Sequence, residues 1–201
     1  MLVAAPSFWP TLFPAFATII AGSIGGWIAL QAIKTNRQIA RLRATLDLIE
    51  RTESEPFYLD LAVSFKAARL RGFDYILDPQ TDENWQERKK VFLFLNHYEM
   101  TAIGIKNGVL DETFYAQFRR GIVVRDWRYA REFIGALRSK IENPTPSKVF
   151  EHFSALAQNW DWEIRHEQYL RTHGDSEEKI TKAIEWYRAH PKHPWHPRKA
   201  H

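Results

Sequence analysis

The chain has 201 residues and a formal net charge of +4, from 28 basic and 24 acidic side chains. It contains no cysteine, which excludes disulfides, thiolate metal sites and a cysteine nucleophile. Glycine-rich phosphate loops, G-x-S-x-G and H-E-x-x-H are also missing from the sequence. The sequence therefore lacks the common signatures of nucleotide-binding proteins, serine hydrolases and zinc proteases.

The N-terminal segment is apolar. Residues 1–33 carry no charged side chain, and the run from Leu12 to Ile33 is almost entirely hydrophobic. A helix of about 20 apolar residues spans the roughly 30 Å hydrocarbon core of a bilayer. Pro6, Pro10 and Pro14 come early, where a helix tolerates proline best. The sequence predicts one N-terminal transmembrane helix that anchors the chain.

Basic residues follow the apolar run directly, at Lys34, Arg37, Arg41 and Arg43, with no acidic residue before Asp47. Positive charge marks the cytoplasmic end of a membrane span. We therefore expect a single-pass protein with its N-terminus outside and its C-terminus in the cytoplasm. A cleaved signal peptide would carry its positive charges before the apolar core, and a buried core helix would be shorter.

Small residues recur within the apolar run. Gly22 and Gly26 form a G-x-x-x-G pair, which lets two membrane helices approach closely and predicts a dimer face. Glycine is also common in membrane helices that do not dimerise. Both interpretations stay open at this point.

The predicted juxtamembrane helix, residues 34–55, carries a short heptad-like seam at Ile39, Leu42, Leu46 and Ile49. Such a seam pairs two copies of a helix or packs onto the chain's own domain. The expected partners are therefore the lipid bilayer, a second copy of the chain through its transmembrane and juxtamembrane helices, and an unknown protein. Nucleic acid is not expected, because topology and anionic lipid already explain the basic residues.

The segment 56–189 is predicted to form one helical domain. Its apolar spacing and capping residues predict helices over 57–71, 85–107, 111–121, 123–141, 146–172 and 176–190, with a loop over 72–84. No stretch alternates as a half-buried strand does. The predicted fold class is all-α, with one transmembrane helix followed by a cytosolic bundle of about five to six helices.

The tail, residues 190–201, is rich in histidine, proline and basic residues. His190, His193 and His196 recur every third residue and are weak candidates for binding zinc, nickel or copper. A flexible chain end is the simpler interpretation of the same residues. We predict no physiological metal site or cofactor.

Other polar pairs do not complete a known site. His97 and Glu99 have the H-x-E spacing of a zinc deaminase, but that site needs cysteines. Glu163 and His166 have the E-x-x-H spacing of a di-iron bundle, but no second copy occurs; they are interpreted as a solvated face. Trp160 and Trp162 fall inside a predicted helix, and burial in a small core explains them first; a protein-binding surface formed by an exposed subset of residues 159–162 is the alternative. No catalytic residue is predicted, and a cavity joining His97, Glu99 and Arg119 would challenge that prediction.

Two stretches carry a family resemblance: RATLDLIERTES, residues 43–54, and FLNHYEMTAIGIKNGVLDETFYAQF, residues 94–118. They resemble a bacterial and phage family known as domain of unknown function 4760, over about residues 43 to 138. The resemblance implies a small helical domain, often behind an N-terminal membrane helix. It implies no activity, ligand or catalytic residue.

Three functions are consistent with these patterns. The leading hypothesis is a membrane-tethered, non-enzymatic helical protein that binds a protein partner, or itself, at the cytoplasmic face of a bacterial inner membrane. The second is a phage-exclusion or anti-phage defence effector at the membrane, which rests on the resemblance alone. The third is an enzyme with an unrecognised helical active site.

Overall fold

The computed structural model describes residues 9–140 and 148–189, with side chains over 23–139 and 148–189. Within those ranges the chain forms helices and no strand: α1 (Trp9–Ser54), α2 (Pro56–Arg71), α3 (Asp74–Leu77), α4 (Asp82–Lys106), α5 (Glu112–Lys140), α6 (Glu151–Thr172) and α7 (Glu177–Ala189). The predicted all-α fold class is confirmed. The chain divides into two compact units, Met1–Arg43 and Ala44–His201.

The first unit contains the N-terminal part of α1. From residue 23 to residue 40 every side chain is exposed, including the large apolar side chains of Ile24, Trp27, Ile28, Leu30 and Ile33. Among the described side chains, no helix has both the length and the hydropathy of a membrane span. The side chains of residues 12–22 of the predicted span, which include the position of Gly22, are outside the described part of the structure.

The second unit has one hydrophobic core, to which α2 contributes Leu61, Phe65 and Ala68. These are the positions that the apolar spacing predicts. The helix ends at Gly72, which has a φ of 85°. Glycine adopts this positive φ without strain, whereas a side chain would be strained there. Of the heptad-like seam residues in α1, Ile49 is buried in this core whereas Leu46 is exposed. Ile49, the last residue of the seam, therefore packs onto the chain's own domain.

The predicted loop over 72–84 contains α3, and the prediction of a continuous loop was wrong. Ile76 of this short helix is fully buried in the core. One turn of helix offers too little periodicity to be detected, and the burial of one side chain stabilises it instead. Next, α4 begins at Asp82, where the Thr81 hydroxyl accepts a hydrogen bond from the Asn84 N–H at 3.2 Å.

A single helix, α5, replaces the two helices predicted on either side of Gly121. An exposed glycine inside a helix costs only about 1 kcal/mol relative to alanine. Tyr115 before it and Val123 after it are both buried in the same core. Tertiary packing on both sides therefore keeps the helix continuous.

The start of α6 was also predicted wrongly. The helix begins at Glu151, after Phe150 in a left-handed conformation with a φ of 54°, and the predicted cap at residues 145–146 lies outside the described part of the chain. At the last helix, the Ser176 hydroxyl accepts from the Lys179 N–H at 3.4 Å, so serine is the capping residue. The tail, residues 190–201, also lies outside the described residues.

Candidate functional site

A cavity of about 380 Å³ lies in the second unit, between α2, α4 and α5. Its volume falls in the range of small-ligand sites. Its walls carry cations, a carboxylate, an imidazole and phenols: Lys66, Arg69, Arg119, Arg125, Asp126, His97, Tyr58, Tyr98 and Tyr115. Nine of the described residues that line this cavity are therefore ionisable.

Aromatic rings pack α4, one wall of the cavity, against α2 and α6. The rings of Phe65 on α2 and Phe94 on α4 stack with centroids 4.5 Å apart, and the Tyr98 ring meets Phe94 edge to face at 5.1 Å. Tyr98 also stacks on Phe153 of α6 at 5.0 Å. Such pairs contribute about 0.5–1.5 kcal/mol each beyond the burial of their area. The first and third pairs hold α4 against α2 and α6.

Among the described residues, Asp126 is the only carboxylate that lines the cavity, and its side chain is 4% exposed. It accepts hydrogen bonds from the Tyr98 hydroxyl at 3.0 Å and from the Arg125 Nε at 2.9 Å, and the Arg69 guanidinium lies 4.0 Å away. Burial, followed by the nearby Asp126 charge, raises the pKa of Tyr98 well above its usual value. The hydroxyl therefore stays protonated and keeps donating to the carboxylate.

His97 lines the cavity from α4, with its ring 5.0 Å from the Tyr58 ring. Burial first, and the Arg119 guanidinium second, lower its pKa from 6.5 to about 4. The imidazole is therefore neutral at neutral pH. Its Nε2 atom is buried and has no hydrogen-bond partner among the described residues. A buried polar atom in that state requires an explanation.

Arg119 reaches the cavity from α5, and its guanidinium lies 3.4 Å from the Glu53 carboxylate. The Arg119 side chain is 15% exposed, whereas the Glu53 side chain is 61% exposed. A pair with such an exposed partner contributes little to stability. Lys66, on α2, is exposed and makes no ion pair within the described residues.

An open apolar groove adjoins the cavity, with a volume of about 660 Å³, and shares Tyr58 and His97 with it. The groove runs between α4 and the last turns of α1, and exposes Phe57, Met100 and Val109. His97 thus stands between a charged compartment and an apolar one.

Of His97, Glu99 and Arg119, which a cavity would have to join to challenge the prediction of no catalytic residue, the structure brings two together. His97 and Arg119 line the same cavity, whereas Glu99 does not. The Glu99 carboxylate instead accepts from the backbone N–H groups of His152 at 3.1 Å and Phe153 at 2.7 Å. A carboxylate at a helix N-terminus accepts hydrogen bonds from the free backbone N–H groups of the first turn. Its negative charge is also stabilised by the positive end of the helix dipole. Glu99 is therefore a tertiary cap for α6.

The region around Glu163 is not the solvated face that the sequence suggested. Glu163 is buried and accepts from Arg188 at 2.9 and 2.6 Å, while Arg120 lies 3.4 Å away. The His166 ring stacks on Trp162 at 4.8 Å. Nowhere in the described ranges do three metal-ligating side chains cluster.

The remaining residues singled out in the sequence lie in α6, in α1 and in the tail. Residues 159–161 are buried, which favours packing in the core over a protein-binding surface at residues 159–162. Of the basic residues after the apolar run, Lys34, Arg37 and Arg43 are exposed, and Arg41 is half-buried. His190, His193 and His196 lie outside the described residues.

Sequence reasoning missed Asp126 as the centre of a site, although a signal was present. The residue lies three positions after Val123 and four before Ala130, both of which are buried in the core. Residues at that spacing share a helix face. A carboxylate on an apolar face must be paired when it is buried, and it therefore indicates a nearby cation.

A family comparison bears on the whole of this helical core. The sequence model of domain of unknown function 4760 matches residues 19–160. The chain belongs to this family. The match includes the cavity residues of α2, α4 and α5, and extends beyond both ends of the resemblance seen in the sequence. Comparisons with curated proteins and with solved structures gave no match.

Proposed function

We propose that the chain is a membrane-tethered helical protein that binds a protein partner, or a second copy of itself, at the cytoplasmic face of a bacterial membrane. The supporting observation is the exposed apolar surface of α1. The exposed fractions of Ile24, Trp27, Ile28, Leu30 and Ile33 lie between 49% and 63%. Full burial of a large apolar side chain contributes about 1.5–3 kcal/mol, so moving this surface out of water is strongly favourable.

The charge distribution supports the same proposal. Lys34 and Arg37 follow the apolar surface and are exposed on the same helix. Basic side chains next to an apolar segment contribute about 1 kcal/mol each at an anionic membrane surface. They also orient the chain with its C-terminal domain on the cytoplasmic side.

Fractionation of cells that express the full-length chain tests the tether. We expect the protein in the membrane pellet after washes with high salt and carbonate, and its release by detergent. The double variant Ile24→Lys, Ile28→Lys should move it to the supernatant, because charge in a membrane span costs about 2.5–3.5 kcal/mol per residue. Recovery of the unmodified chain in the supernatant would refute the tether.

A matched control uses exposed apolar residues elsewhere in the chain. Val63 and Leu70 on α2 are 66% and 76% exposed, so Val63→Lys with Leu70→Lys adds the same charge outside α1. This variant should remain in the membrane pellet. Its release would show that net charge, rather than the surface of α1, determines the fractionation.

Self-association is the form of partner binding for which α1 offers a face. A Cβ added at Gly26 would meet no atom within 4 Å, so a second helix has room to approach there. The chain has no cysteine, and Ala29→Cys therefore places a single thiol one turn after Gly26. We expect it to form a disulfide-linked dimer in membranes, whereas Ile24→Cys, on the opposite face, should not. Equal cross-linking of both variants would argue against a specific dimer face.

The cavity around Asp126 gives the enzyme alternative its support, because it gathers ionisable groups. Asp126 is already engaged by Tyr98 and Arg125, which favours binding over proton transfer at this carboxylate. The phage-exclusion alternative stays a prediction.

A further inference from the structure

We propose that the cavity between α2, α4 and α5 binds a small phosphorylated ligand. Four cationic side chains line it, against the single carboxylate of Asp126. Arg69 and Arg125 lie 4.0 and 2.9 Å from that carboxylate, so they compensate its charge. With Lys66 and Arg119 the lining carries a surplus of positive charge, most of which a phosphate dianion would neutralise.

The donor groups suit phosphate oxygens. Arg119 offers a planar fork of N–H donors, which matches two oxygens of one phosphate, and Lys66 offers a mobile point charge at the mouth. Glu53, which now pairs with Arg119 at 3.4 Å, is 61% exposed, and a ligand oxygen can replace it at little cost. His97 adds a neutral ring whose Nε2 atom has no partner in the described residues.

The remaining walls are apolar and aromatic, with Phe65, Phe94 and Tyr115 among them. A volume of about 380 Å³ exceeds the space needed for phosphate alone. The cavity therefore fits a phosphate joined to a small organic group. A carboxylate ligand carries one negative charge and would neutralise less of the positive surplus than a phosphate dianion does. This inference does not depend on membrane tethering.

Calorimetric titration of the full-length chain in neutral detergent tests the proposal, with inorganic phosphate as the first probe. Potassium chloride and acetate at the same ionic strength are the reference anions. We expect saturable phosphate binding with a dissociation constant below about 1 mM, at least about tenfold tighter than acetate. Adenosine monophosphate and glycerol 3-phosphate, which represent a nucleotide and a lipid headgroup, identify which organic group the aromatic walls prefer.

Substitutions then locate the binding site. Arg119→Gln should weaken phosphate binding by about tenfold, and Lys66→Gln by about threefold. Lys66 is exposed, so its substitution leaves the fold intact and decides the question if Arg119→Gln fails to fold. The control Arg131→Gln removes the same charge from α5 at a side chain that is 58% exposed and outside the cavity. It should bind phosphate as the unmodified chain does.

Several outcomes would overturn the proposal. The first is the absence of saturable binding with any of the three phosphorylated probes. A second is acetate binding as tight as phosphate binding, since it would show that the cavity does not select a dianion. The third is unchanged affinity in both Arg119→Gln and Lys66→Gln, which would place the phosphate elsewhere on the chain.

Discussion

Arg119 and Arg120 are consecutive on α5, yet their guanidinium groups enter two different environments. Arg120 donates to both carboxylate oxygens of Glu167, at 2.6 and 2.9 Å, and lies 3.4 Å from Glu163. Arg119 lines the cavity on another side of the helix. Successive residues of a helix project about 100° apart, so one helix supplies cations to both regions.

The two regions differ in how their charges are matched. Around Glu163, two carboxylates meet the guanidiniums of Arg120 and Arg188 at hydrogen-bond distances. In the cavity, four cations surround one carboxylate of the lining, and the exposed Glu53 pairs with Arg119 from outside it. A matched cluster holds α5, α6 and α7 together, whereas an unmatched one retains the capacity to bind an anion. Charge balance thus separates a structural cluster from a candidate binding site.

Breaking the matched cluster should have the largest effect. Glu163→Ala leaves the half-buried guanidiniums of Arg120 and Arg188 without a shared acceptor. Loss of one partner from a buried ion pair costs about 3–5 kcal/mol, and partial exposure of both arginines brings the expected loss to about 3 kcal/mol. Urea unfolding of the full-length chain, followed by circular dichroism, measures it.

The control is Glu132→Ala, which removes a carboxylate from an α5 side chain that is 89% exposed. Its free energy of unfolding should stay within about 0.5 kcal/mol of the unmodified chain. If Glu163→Ala and Glu132→Ala destabilised the protein equally, the matched cluster would have no special structural role.

Burial of His97 in the cavity should make the free energy of unfolding depend on pH. The pKa of His97 is about 4 in the folded chain and 6.5 as its ordinary value. Below pH 6.5 the unfolded chain therefore binds more protons, and the stability present above pH 6.5 is lost as the pH falls toward 4. We expect a loss of about 2 kcal/mol from this residue between pH 6.5 and about 4.5.

The charged and titratable side chains that line the cavity and the groove together with His97 come from four helices: Asp47 and Arg51 from α1, Tyr58, Lys66 and Arg69 from α2, Tyr98 from α4, and Tyr115, Arg119, Arg125 and Asp126 from α5. Comparison with His97→Gln isolates the histidine, because its neighbours stay in both proteins. Urea midpoints of the variant should fall less steeply below pH 6.5. Parallel slopes for the two proteins would mean that His97 titrates normally in the folded state.

The sequence was informative where packing follows the helix period. Leu61, Phe65 and Ala68 on α2, and Val91 and Leu95 on α4, are buried where the spacing places them. Helix N-caps could also be predicted from the residue type that precedes the helix. At Asp111, the carboxylate accepts from the Phe114 N–H at 2.9 Å, as a capping residue does.

The site was less accessible, because it depends on which helices meet. His97 and Arg119 are far apart in sequence, and only the packing of α4 against α5 brings them to one cavity. Glu163 was misread as solvated because its partner Arg188 lies on a different helix, α7. Local spacing finds a helix face, but it does not reveal what covers that face.

The smallest expected effect comes from Gly121, which follows Arg119 and Arg120 on α5. The sequence predicted a helix break at this residue, and that prediction was wrong. Gly121 is helical and exposed, and an added Cβ would meet no atom within 4 Å. Gly121→Ala should therefore raise the free energy of unfolding by roughly 0.5–1 kcal/mol in urea melts. Gly108, with a φ of 68° and equal space, is the matched control, and Gly108→Ala should destabilise because of backbone strain. A loss of stability in Gly121→Ala would show that α5 needs a flexible joint between the arginines and the rest of the helix.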